Sequence, residues 1–268
     1  MFQVVIILEK IYSLKLIREK PVFLFLMGLT YAITGIASAI FLFPNSPGFA
    51  AIAFTSLLCV PVLEVMFSRE KDFYGRASNS KFGVFSAYSK LLTTYASLFF
   101  GIMFAFLMFS ALWPPKATFL VFSPQLRMLG SSGNAFSPST FLVLLSNNSY
   151  VLLFCFVISL IYGVGGVLMM VWNASVWGSV LGIFIRDAVV SGSTFQMLLT
   201  LLKMLPHTLL ESGSYFLAVI AGIILSRTVV SEKRFSEIFY ARVRDCVTLI
   251  GISIILVVLG AYLESSLF

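Results

Sequence analysis

His207 and Glu211 are the residues of this chain best placed to carry chemistry. They are four apart, and a helix opened by Pro206 would set both on one face. There a carboxylate can orient an imidazole or share its proton; the plainer alternative is an interfacial polar pair satisfied by lipid headgroups. His207 is the only histidine, so no second imidazole is present and no metal is expected. Glu64 lies near the end of an apolar run beside Ser68 and Arg69. It either reaches the interface and pairs with Arg69 or serves as a buried acid. Asn173 sits inside an uncharged stretch without a local partner, which predicts an interhelical hydrogen bond. No nucleotide-binding loop, zinc-protease pair, nucleophile elbow or complete triad is visible. The expectation is a non-enzymatic protein with no cofactor.

The elements that must hold these groups follow from composition. Of 268 residues, 59% are hydrophobic and 11% charged, with a mean hydropathy of +1.01. A water-soluble domain carries roughly a quarter charged residues. The charges here are clustered, leaving apolar runs of helical length that match a ~30 Å hydrocarbon core. Lipid offers the backbone no hydrogen-bond partner, so these runs must be helices. Ionisable groups inside them cost a few kcal/mol each and need a partner or a water-filled cavity. The net charge of +7 sits beside the apolar runs, as membrane topology requires, and no nucleic acid is expected. Cys59, Cys155 and Cys246 fall inside apolar runs and read as packing residues.

The predicted fold is all-α: a polytopic membrane protein with six full spans, one short or re-entrant helix and an N-terminal interfacial helix over 1–21. Three spans occupy 22–112, at about 22–43, 49–67 and 88–112. The first is too long for a cleaved signal and continues past Ala37-Ser38-Ala39. An outer loop over 113–148 follows, although Ser137-Pro138 has the form of a helix start. Residues 150–185 carry no charge. They predict a span at about 149–170, a turn near Trp172-Asn173 and a short helix at 174–186 that returns the chain. Gly163, Gly165, Gly166, Gly178 and Gly182 thin this hairpin for close packing. An interfacial helix at 194–205 and spans at about 207–226 and 246–263 complete the chain. With the N-terminus cytoplasmic, inner segments hold fourteen Lys and Arg and outer segments four. That positive-inside bias requires the hairpin and puts the C-terminus outside.

Asn147-Asn148, Trp172-Asn173-Ala174 and Pro206-His207-Thr208-Leu209-Leu210-Glu211 occur in an order that resembles the stage II sporulation protein M family of prokaryotic membrane proteins. The resemblance covers about 147–226, with Ala174 and Thr208 standing where the family has glycine. It implies a site of Asn148, Asn173, His207 and Glu211, and similarity to membrane scaffolds that hold cell-wall-remodelling partners. The expected role is a scaffold or complex subunit of the plasma membrane, linked to the cell envelope. The expected partners are the lipid bilayer, other membrane or extracytoplasmic proteins, or further copies in a homo-oligomer. The alternatives are a transporter with a polar site at the discontinuous hairpin and, behind it, an intramembrane enzyme.

Overall fold

The computed structural model describes residues 20–68, 83–126, 138–233 and 236–267. Its helices are α1 (Pro21–Leu42), α2 (Pro47–Ser68), α3 (Gly83–Leu112), α4 (Pro115–Leu126), α5 (Pro138–Tyr162), α6 (Val167–Ser191), α7 (Thr194–Ser231) and α8 (Glu237–Leu267). A 3-10 turn, Gly163–Gly166, separates α5 from α6. Six helical stretches among the described residues are long and apolar enough to cross a membrane. The protein is an all-α polytopic membrane protein. The predicted interfacial helix over 1–21 falls almost wholly outside the described residues.

The chain divides into two compact units, one of residues 1–130 with 167–187 and one of 131–166 with 188–268. In the first unit, α6 runs parallel to α3 in close contact. A β-carbon at Gly178 would collide with the Met103 carbonyl, and one at Gly182 with the Leu107 carbonyl, four residues further along both helices. At the end of this contact Arg186 caps α3. Its Nη1 donates to the carbonyls of Ser110 and Trp113 at 3.3 Å and to Thr118 Oγ1 at 3.4 Å. The last carbonyls of a helix lack intrahelical donors, and a cation there also meets the negative end of the helix dipole. Arg186→Leu is therefore expected to lower stability by about 1–3 kcal/mol, read as a lower unfolding midpoint in detergent.

The predicted outer loop over 113–148 is corrected. Helix α4 occupies Pro115–Leu126, and α5 begins at Pro138; residues 127–137 lie outside the described part. Both prolines stand in a first turn, where a missing N–H breaks no hydrogen bond. Pro124 does disturb α4, with Phe122 at φ −110° and ψ 20°. Phe122 is nevertheless buried, 5.3 Å from the Phe106 ring and 6.4 Å from Trp113. Those aromatic contacts anchor α4 on the end of α3.

In the second unit α7 is the central helix. In the apolar window of its span 78% of residues are buried, against 33% in α8, so α7 is core and α8 faces lipid on one side. Helices α5 and α7 run parallel. Asn148 meets Glu211, and eleven residues further along both, Ser159 meets Gly222, where a β-carbon would lie 2.7 Å from Ser159 Cβ. Helix α8 runs antiparallel to α7: Cys246 Sγ lies 3.4 Å from the Ala221 carbonyl, while Gly260 lies beside Glu211. Because α5 and α7 point the same way, the residues between them must return the chain.

The return begins earlier than predicted. Trp172 and Asn173 are inside α6, and the break is at Gly163–Gly166. Asn173 does not stop the helix because its Nδ2 donates back to the Met169 carbonyl at 2.8 Å. Gly163 has φ +60°, a conformation that costs other residues about 1–2 kcal/mol. Helix α6 is 25 residues, or roughly 37 Å at 1.5 Å per residue, so it is of crossing length rather than the short 174–186. Gly163 is consequently a turn residue and not a packing one; a β-carbon there would touch nothing within 4 Å. Gly163→Ala is expected to cost about 1–2 kcal/mol, measurable by thermal unfolding.

Candidate functional site

Pro206 does not open a helix, as predicted; it lies inside the 38-residue α7. A proline there removes the N–H that would bond the Leu202 carbonyl. Side chains around it bond back to the same helix. His207 Nδ1 lies 3.3 Å from the Lys203 carbonyl, a contact that needs the proton on Nδ1. Thr208 Oγ1 donates to the Met204 carbonyl at 2.7 Å, and Ser214 Oγ to the Glu211 carbonyl at 2.7 Å. In lipid, such local bonds let a helix continue through a proline.

One turn beyond His207, Glu211 enters the interior of the second unit. His207, Glu211 and Asn148 retain 2%, 5% and 6% of their surface, so all three are withdrawn from lipid and water. Asn148 Nδ2, from α5, donates to Glu211 Oε1 at 2.6 Å. Asn147 Nδ2 in turn donates to Asn148 Oδ1 at 3.5 Å. From α8, the Glu264 carboxyl stands beside that of Glu211. The cluster joins three helices. Room for it comes from Gly260, where a β-carbon would lie 3.0 Å from Glu211 Cγ.

Asn148, His207 and Glu211 belong to the second unit; Asn173 belongs to the first. There Asn173 bonds within its own helix instead of between helices, because the Met169 carbonyl is within reach. Its neighbour Trp172 stacks on Phe49 at 5.7 Å. Glu64 is also in the first unit, half-buried on α2 between buried Leu63 and Val65. Gly166 packs in the second unit, where a β-carbon would lie 2.9 Å from Val219 Cγ1. Among the described residues, no group of three or more His, Cys, Asp and Glu is arranged to hold a metal.

Glu264 and Gly260 were missed by sequence reasoning. The apolar run of the last span closes at Leu263, which leaves Glu264 one residue outside it. A signal was present in the spacing: Gly260 and Glu264 are four apart and share a helix face. It pointed to an acid with room made beside it.

A family model described as Stage II sporulation protein M matches residues 94–267, well over half of the chain. The match takes in α5 to α8 and every residue of the cluster. No curated protein and no solved structure matches.

Proposed function

Because the chain belongs to the stage II sporulation protein M family, we propose that it is a membrane scaffold or complex subunit serving the cell envelope. The observation that carries this reading is the bond from Asn148 on α5 to Glu211 on α7, with Glu264 of α8 beside it. Groups that satisfy one another fix the relative position of three helices, and a fixed bundle is what a scaffold offers to partners. The protein sits in the plasma membrane of a prokaryotic cell, with its N-terminus cytoplasmic and its C-terminus outside. The fourteen-to-four distribution of basic residues supports that orientation, as does the parallel run of α5 and α7. Its partners are other membrane or extracytoplasmic proteins, and its role requires no catalysis.

A second reading, proton-coupled transport, is favoured by one observation: the carboxyl groups of Glu211 and Glu264 stand side by side within the second unit. The two readings separate by experiment. Crosslinking in the native membrane followed by purification should recover defined protein partners with the wild-type chain. Recovery of the chain alone, together with proton-coupled flux in liposomes that Glu211→Gln abolishes, would replace the scaffold with the transporter.

A further inference from the structure

Helix α5 has two distinct faces. Asn148, Leu152, Cys155 and Ser159 are buried on one side. On the other, Val143, Asn147, Tyr150, Phe154, Val157 and Ile161 are exposed, spaced alternately by four and three residues. That is the spacing of a coiled-coil seam. Exposed apolar side chains in a chain that crosses lipid need no explanation, but Asn147 does. It stands nine residues into α5, about 14 Å along the helix axis. The apolar run Phe141–Leu145 precedes it, and a second apolar run begins at Tyr150. Among the described residues its amide makes one bond, to Asn148 Oδ1 at 3.5 Å. One N–H and the whole acceptor capacity of Oδ1 are left over, inside a helical stretch from Thr140 onward that is long and apolar enough to cross a membrane.

We propose that α5 is a homodimerisation helix whose exposed seam packs on the same seam of a second copy, with the two Asn147 amides paired across the two-fold axis. A carboxamide carries a donor and an acceptor side by side. Two of them related by a two-fold axis satisfy each other without any further group. A different membrane helix would have to bring its own amide at the matching depth; a second copy supplies it by symmetry. A lone asparagine in an apolar seam also sets register and the number of strands. Exposed Ser146 and Ser149 flank the amide and widen the polar patch at that level. The inference rests on the exposed face of α5 and does not depend on the scaffold role. It does place the dimer contact one hydrogen bond from Glu211, through Asn147 and Asn148.

The test uses the full-length protein in liposomes, with single cysteines introduced at Val143 or Tyr150 and, as a control, at exposed Leu259 on α8. The native cysteines are buried. Oxidation is expected to link the Val143→Cys and Tyr150→Cys proteins into dimers and to leave Leu259→Cys monomeric. Counting subunits by photobleaching at falling protein-to-lipid ratios should show Asn147→Leu dimerising about ten-fold more weakly, with Asn147→Gln retaining the dimer. The proposal is overturned if the seam cysteines link no better than Leu259→Cys. It is equally overturned if they link to a different protein in native membranes, or if Asn147→Leu leaves the dimer affinity unchanged.

Discussion

Glu211→Ala is expected to lower the stability of the protein by about 2–4 kcal/mol, while Glu211→Gln should cost much less. The alanine strands the buried Asn148 amide on α5 and leaves a void beside the half-buried Glu264 carboxyl on α8. Buried polar groups that lose a partner each cost about 1–3 kcal/mol. Interhelical hydrogen bonds in membranes fall at the lower end of such values, since the unfolded chain also finds partners. The glutamine keeps the bond and the neighbour: its Oε1 accepts from Asn148, and its Nε2 can donate to the adjacent Glu264 carboxyl. Unfolding midpoints in detergent, or the force needed to open the bundle in a bilayer, measure both. Equal losses for alanine and glutamine would mean that the carboxyl group matters for something other than these bonds.

Gly182→Leu should have the second large effect, a loss of at least about 3 kcal/mol and in practice a protein without a stable first unit. A side chain at Gly182 would meet α3 backbone at the Leu107 carbonyl and the Ala111 nitrogen at 3.0 Å, with Ser110 Cβ between them. Backbone in a bonded helix cannot move aside as the tip of a side chain can. Relief requires α6 to back away from α3, and that movement also pulls Arg186 from the carbonyls it caps. A cysteine pair placed across α3 and α6 should therefore crosslink readily in the wild-type background and poorly with Gly182→Leu. Gly182→Ala, with one β-carbon, is expected to fall between the two.

The spans were legible because they rest on a quantity the sequence carries openly, the length of an uninterrupted apolar run. Where the prediction failed, it applied rules of chain interruption that belong to water. In water, an unbonded carbonyl next to Pro206 or beside Asn173 is satisfied by solvent, so proline and asparagine end helices. In lipid that exit is closed, and the helix continues with the polar side chains turned back on their own carbonyls. The actual break uses Gly163, whose φ of +60° only glycine adopts without strain. The four-residue spacing of His207 and Glu211 could be read directly. Their partners could not: Asn148 is 63 residues from Glu211, and nothing local in either segment states that they meet. Family resemblance named both Asn148 and Asn173, which belong to different units. Glu264 lay just beyond the edge of the apolar run that defined its span.

The parallel arrangement of α5 and α7 sets an order in time. A ribosome delivers the chain from the N-terminus, so α5 enters the bilayer with Asn148 before α7 exists. Glu211 follows 63 residues later and Glu264 another 53 after that. At 5–20 residues per second the amide waits on the order of ten seconds for the complete set of bonds. During that interval Asn147 and Asn148 have only each other, and an amide on a nascent neighbour from the same message is as near as any group further down the chain. Two chains emerging side by side on one polysome would meet through α5 before either had finished its own bundle.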